Sequence, residues 1–215
     1  MIAVPAWLDL LTIGIGALQG ALFAIFYKRF DLVGVLAVAI LTGLGGGILR
    51  DVLLDAGRPV AMQDKYLLTA LAAVVVALII GRWYKKAVNA VVFLDSIAMS
   101  LFAIAGTYKA LTFETSELVA LLLGVVTAVG GGVLRDVVCG ITPQIFSGGP
   151  LYATASAIGA AVFILLERTT LDLNLSVALS ALLIVVVQMA SVRFRIHLKP
   201  ALSSLDVSKS DGPNS

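Results

Sequence analysis

An arginine followed directly by an aspartate occurs twice in the sequence, each time three residues after a run of three glycines. The first copy consists of Gly45, Gly46, Gly47, Arg50 and Asp51. The second copy consists of Gly130, Gly131, Gly132, Arg135 and Asp136. An ionisable side chain at membrane depth costs about 2.5–3.5 kcal/mol on insertion scales, so it faces a bundle interior or water and takes a partner. In an apolar chain this pattern predicts either an ion pathway or buried ion pairs between helices.

The arginine and the aspartate of each pair are expected to do different work. Adjacent residues on a helix point about 100° apart, so Arg50 and Asp51 are poorly placed to pair with each other and each is expected to find a partner elsewhere. We expect the guanidinium to hold freed carbonyls or a carboxylate, and the aspartate to line or flank the pathway. Because an arginine on its own repels cations, a cation pathway requires this positive charge to be offset locally.

The triple glycines predict a break in the helix that contains them. Each Gly costs about 1 kcal/mol relative to Ala inside a helix, so three together favour bending or unwinding. Freed peptide groups are tolerable in a membrane only where they are buried in protein or line a watery cavity. The alternative is that the glycines only let helices approach closely. Two matched triplets favour the pathway interpretation over this one.

Four further polar residues are candidates for the mouth of the pathway: Asp9, Asp95, Thr42 and Thr127. The two acids stand near the starts of apolar segments, where they would also complement a helix dipole. The two threonines precede the glycines by one turn, and a hydroxyl there often bonds back to its own helix. No His, Cys or acidic cluster has metal-ligand spacing, so the sequence predicts no metal site and no cofactor.

The elements that must position these residues are transmembrane helices. Of the 215 residues, 60% are hydrophobic and 13% are charged, and the mean hydropathy is +1.05. These values exclude a soluble enzyme, a disordered chain and a secreted disulfide scaffold, and a net charge of +2 gives no indication of nucleic acid binding. Charges and turn signals delimit seven apolar segments, at about 7–27, 32–54, 66–83, 88–108, 116–138, 150–167 and 174–192.

The basic residues predict the orientation of these spans in a cell membrane. With the N-terminus outside, nine of the 15 Lys and Arg residues fall on the cytoplasmic side and four on the outside, leaving aside Arg50 and Arg135 within spans. The positive-inside rule therefore places the C-terminus in the cytoplasm. We expect one transmembrane domain over residues 1–199 and a disordered cytoplasmic tail over residues 200–215.

An internal repeat relates the two halves of the chain. Residues 42–54 and 127–139 align at an offset of 85, and the flanking residues, including Asp9 and Asp95, align at 86. The repeats cover about 7–83 and 88–167, with a seventh helix at about 174–192. Because each repeat holds three spans, the second copy must enter the membrane from the opposite side. The predicted fold is therefore all-α, with an inverted 3+3 repeat plus one helix, broken at the glycines in helices 2 and 5, and transport is its leading function.

With its two GGGxLRD copies and its three-plus-three-plus-one spans, the chain resembles the prokaryotic trimeric intracellular cation (TRIC) channels. The resemblance implies a homotrimer in which each protomer conducts monovalent cations, chiefly potassium, through its own pore. It also implies that the ten glycine, arginine and aspartate residues of the two motifs line or support that pore. Prokaryotic relatives have also been described as glycine transporters, so a carrier of a small solute is the alternative, and a packing scaffold is a third hypothesis.

Overall fold

The computed structural model describes residues 5–59, 62–83, 88–146 and 151–196, and over these ranges the chain is helical without strands. The helices are α1 (Ala6–Phe23), α2 (Leu32–Leu53), α3 (Asp64–Trp83), α4 (Val88–Thr112), α5 (Glu117–Val138), α6 (Tyr152–Glu167) and α7 (Leu173–Phe194). A π-helical turn over Ala24–Lys28 extends α1, and a 3-10 turn over Gln144–Phe146 precedes α6. The predicted tail, 200–215, lies outside the described residues.

The seven apolar segments predicted from the sequence are seven helices, which confirms the all-α class. Six of them are long and apolar enough to cross a membrane. The exception is α6, whose 16 residues extend about 24 Å at 1.5 Å per residue. That length is shorter than the hydrocarbon core of a typical bilayer, which is about 30 Å thick.

Side-chain caps begin three of the helices. Asp31, Ser116 and Asp172 accept hydrogen bonds from backbone N–H groups in the first turns of α2, α5 and α7. These caps satisfy amide groups that have no partner within the helix. The polar residues between the apolar segments therefore determine where the spans begin.

The helices pack as two groups of three with α7 added to the second. In the first group α1 contacts α2 and α3, and in the second α4 contacts α5 and α6, while α7 packs on α4 and α6. The groups join through α1 against α4 and through α2 against α5. The core divides in the same way, with one apolar cluster centred on α1, α2 and α3 and another centred on α4, α6 and α7. The repeat limits and the opposite insertion of the two groups stay predictions.

The predicted break at the triple glycines is wrong. Both α2 and α5 continue through Gly45–Gly47 and Gly130–Gly132 as regular α-helix. A break would leave several backbone groups without partners in hydrocarbon, at several kcal/mol each, whereas three glycines in a helix cost about 3 kcal/mol. Keeping the helix intact is therefore the smaller cost.

The glycines instead allow α2 and α5 to cross with their backbones in contact. A Cβ atom added to Gly46 would overlap the carbonyl oxygen of Thr127, and one added to Gly131 would overlap that of Thr42. A Cβ on Gly130 would stand 3.4 Å from the Cα of Gly46. Close approach of small residues is how many membrane helices associate. At this crossing the glycines therefore serve close helix packing, the alternative given in the sequence analysis.

Candidate functional site

Four charged side chains from α1, α2 and α4 form what we name the Arg50 cluster: Asp9, Arg50, Asp51 and Lys109. The Nε atom of Arg50 donates a hydrogen bond to Asp51 Oδ1 at 2.8 Å, and its Nη1 atom lies 3.5 Å from Asp9 Oδ1. The Nζ atom of Lys109 donates to the same Asp51 oxygen at 2.7 Å. Two acids and two bases balance one another here, as buried charges require.

A second group, the Arg135 cluster, unites side chains of α1, α4 and α5: Gln19, Phe23, Asp95, Arg135 and Asp136. The Nη1 atom of Arg135 donates to Asp95 Oδ1 at 3.0 Å and to Gln19 Oε1 at 2.9 Å. Its Nε atom donates to Asp136 Oδ1 at 2.8 Å. The guanidinium carbon lies 4.4 Å from the ring centroid of Phe23, which is cation–π geometry. One arginine here faces two carboxylates.

The expectation that adjacent Arg and Asp would not pair is wrong in both copies. That expectation rested only on the directions in which the two Cβ atoms leave the helix. The arginine side chain is long enough to turn back, so its Nε atom reaches the neighbouring carboxylate in each cluster. Each arginine also reaches the predicted acid of its own repeat, Asp9 for Arg50 and Asp95 for Arg135. The structure therefore brings these two aspartates together with the motif, a contact that the sequence analysis did not predict.

The two clusters lie at opposite ends of the α1–α4 pair. Asp9 is near the start of α1 and Gln19 near its end, while Asp95 is near the start of α4 and Lys109 in its last turn. The 14 residues from Asp95 to Lys109 span about 21 Å along α4. The arginines come from the C-terminal ends of α2 and α5, and the glycine crossing of these helices lies between the clusters.

The candidate threonines lie at this crossing and are already bonded. Thr42 donates its hydroxyl to Val38 O at 2.7 Å, and Thr127 donates to Leu123 O at 2.5 Å. Each side chain also fills the notch left by a glycine of the neighbouring helix, Gly20 for the first and Gly106 for the second. Both hydroxyls are therefore occupied within their own helices, and both side chains take part in helix packing.

Only the Arg135 cluster opens onto a sizeable cavity among the described residues. The cavity measures about 310 Å³, whereas the pocket beside Arg50 measures about 10 Å³. The larger cavity is lined by Gln19, Phe23, Tyr27, Val91, Val92, Asp95, Arg135, Gln144, Gln188 and Val192. The residues described contain no group of three or more His, Cys, Asp or Glu side chains that could hold a metal ion.

One position of the repeat accounts for the difference in charge between the clusters. At the offset of 86 residues, Lys109 of α4 corresponds to Phe23 of α1. Lys109 pairs with Asp51, while Phe23 lies over the guanidinium of Arg135. The first cluster is thus neutral in formal charge, and the second carries one excess negative charge.

Sequence reasoning missed three polar residues of the two clusters and the cavity. Gln19 and Gln188 stand alone in apolar spans and are almost fully buried, and Lys109 belongs to the last turn of α4 rather than to a connection. A lone polar side chain inside an apolar span is the signal that could have found them, because it must find a partner in the bundle.

Comparison with known proteins places these features in a family. A family model described as glycine transporter matches residues 6–82 and again residues 92–168. A UPF0126 membrane protein of Deinococcus radiodurans is 36% identical over 167 residues, covering 76% of this chain and 77% of that protein. The UPF0126 inner membrane protein YadS of Escherichia coli K12 is 30% identical over 203 residues, covering 93% and 96%.

A solved structure shares the fold. The TRIC trimeric intracellular cation channel orthologue from Rhodobacter sphaeroides superposes with a TM-score of 0.81 and 28% sequence identity, over 88% of this chain and 97% of that one. The seven-helix arrangement described above is therefore the TRIC channel fold.

Proposed function

Because the chain belongs to the family described as glycine transporter and has the fold of a TRIC channel, we propose that it is a channel for monovalent cations, chiefly potassium. The observation that carries the proposal is the match in fold to a cation channel over nearly nine tenths of the chain. We propose a homotrimer in a cell membrane, with one pore in each protomer. The relative of known structure is itself described as trimeric.

The charge distribution supports cation passage. Both arginines are offset by carboxylates within 3.5 Å, so neither presents an uncompensated positive charge to an ion. The proposed path runs from the cavity beside Asp95, past the crossing of α2 and α5, to Asp9. The motif residues support this path through packing and ion pairing, and the glycine crossing is its narrowest point.

Planar-bilayer recording with asymmetric potassium and sodium tests the proposal. Discrete unitary currents that reverse near the potassium equilibrium potential are the expected result. Silent bilayers containing folded trimeric protein would contradict it. The alternative, a carrier for a small solute such as glycine, is favoured by the description of the family model and by a cavity of small-molecule size beside Asp95. Its marker is saturable uptake of labelled glycine with counterflow and without unitary currents.

Replacing Lys109 by methionine is expected to raise the potassium conductance severalfold at low salt. The change removes one positive charge from the Arg50 cluster, so Asp51 keeps Arg50 as a partner and the path gains net negative charge. Single-channel conductance at 20 mM and at 1 M KCl measures the effect, which should shrink in high salt, where ions in the path screen the added negative charge. Arg168→Met, at an exposed ion pair with Glu117, is the matched control and should leave conductance unchanged.

We also propose that the N-terminus lies outside and the C-terminus in the cytoplasm, as the basic residues favour. A Cys139→Ser background removes the chain's single cysteine, and a cysteine then replaces either exposed Arg29 or exposed Arg58. A membrane-impermeant thiol reagent added to intact cells should label position 58 and leave position 29 unlabelled until the cells are opened. The reverse pattern would invert the proposed orientation.

A further inference from the structure

The cavity beside the Arg135 cluster has more acceptor capacity than the chain uses. The Arg135 guanidinium is held by Gln19, Asp95 and Asp136, so its positive charge is already matched within the cluster. The second carboxylate leaves one excess negative charge there. A carboxylate offers about four lone-pair positions, which lets Asp95 accept further hydrogen bonds beside those from Arg135 and the Tyr152 hydroxyl. The cavity therefore favours a ligand that is positively charged and donates hydrogen bonds.

A residue outside the repeat adds an independent sign of a ligand. Gln188 of α7 lines the same cavity and is only 3% exposed. Its Oε1 atom is buried without a hydrogen-bond partner among the described residues. An unpaired buried acceptor costs about 1–3 kcal/mol, and a donor from a bound molecule would remove that cost.

The walls of the cavity select among cations. Its volume of about 310 Å³ lies at the lower end of the range of small-molecule sites, about 300–1,000 Å³. Val91, Val192 and the stacked pair of Phe23 and Tyr27 give it apolar and aromatic surfaces. An alkyl group on an ammonium is stabilised by burial against such walls, whereas the water shell of a hydrated alkali ion is not. The aromatic faces also attract cations. An anion would meet the excess negative charge.

We propose that this cavity binds a small primary ammonium ion, with Asp95 and the Gln188 amide oxygen as its acceptors and with Val91, Val192 and Tyr27 around its alkyl part. Gln188 lies on α7, which belongs to neither repeat, so the Arg50 cluster has no equivalent of this residue. The site does not depend on ion conduction, so its test measures binding, and silent bilayers would leave the proposal standing.

Saturation-transfer difference NMR with methylammonium chloride tests the site on the full-length protein in detergent, at constant ionic strength in sodium chloride. The methyl protons of methylammonium should receive saturation from the wild type, and acetate should receive none. Gln188→Leu should weaken the apparent affinity on the order of tenfold, the effect of losing one hydrogen bond to a charged donor. This variant removes an unsatisfied atom with little change in shape, so it should remain folded.

Ser180→Ala is the matched control, since Ser180 is buried on the same helix as Gln188 and does not line the cavity. Its hydroxyl is likewise without a partner among the described residues, and it should leave methylammonium binding unchanged. Equal methyl signals in the wild type and in Gln188→Leu would overturn the proposal. Complete displacement of methylammonium by an equal concentration of potassium would also overturn it, because the cavity would then be a site for the inorganic ion.

Discussion

Replacing Gly46 by alanine is expected to destabilise the protein by about 1–3 kcal/mol, the usual cost of forcing a methyl group into a packed interior. The added Cβ would overlap the carbonyl oxygen of Thr127, which is backbone and cannot rotate away. The two helices would have to separate, which would disturb both charge clusters at their ends. Thermal unfolding in detergent, followed by size-exclusion chromatography, measures the loss, and potassium flux from the same preparation should fall with it.

The neighbouring Gly47 provides a control that differs by one position. A Cβ there would meet only the end of the Arg50 side chain, at 3.9 Å. Gly47→Ala should therefore be neutral or stabilising by up to about 1 kcal/mol, since alanine is the better helix former. Gly131→Ala, which would meet the Thr42 carbonyl, should behave like Gly46→Ala. Equal stability of the Gly46→Ala and Gly47→Ala variants would contradict the close backbone contact between α2 and α5.

Replacing Arg135 by methionine is expected to cost about 3–5 kcal/mol, the effect of removing one partner from a buried ion pair. The change would leave Asp95 and Asp136 without their common cation and Gln19 without the donor it accepts from. In a membrane-spanning bundle, water is poorly placed to replace these bonds. We expect little folded protein at 37 °C, measured as the yield of the monodisperse peak after extraction.

A compensating variant separates charge balance from the shape of the site. Arg135→Met combined with Asp95→Asn and Asp136→Asn removes the unpaired charges and should recover most of the lost yield. The exposed pair of Arg168 and Glu117 is the control, and Arg168→Met should not change the yield measurably, because such surface pairs are solvated in either case. A triple variant as unstable as Arg135→Met would show that the guanidinium is needed for more than charge balance.

The spans and the motif residues could be predicted because their signals are local. Runs of apolar residues delimited the helices, and the duplication placed Asp9 and Asp95 in positions equivalent to each other. Their contacts with Arg50 and Arg135 came only from the structure. Span lengths and repeat offsets are properties of the chain order alone. The sequence therefore identified the residues of both clusters that belong to the repeated motif.

The state of the glycines could not be predicted in the same way. A triple glycine weakens a helix by its intrinsic propensity, but the outcome depends on whether a neighbouring backbone is present to fill the vacated space. Here Thr127 and Thr42 supply it, and this information resides in tertiary packing. Lys109 and Gln188 were missed for a related reason, because their roles depend on which helices lie beside α4 and α7.

The exchange of lysine for phenylalanine between Lys109 and Phe23 gives the bundle an electrical polarity. A chain whose halves matched in every side chain would respond identically to voltages of either sign. In this protein the charges balance at one end of the bundle, while the other end carries an excess negative charge and opens onto a cavity. Reversing the molecule in the bilayer therefore exchanges unlike ends. Duplication supplied two similar halves, and a single difference between them gives the two ends of the bundle unlike charge.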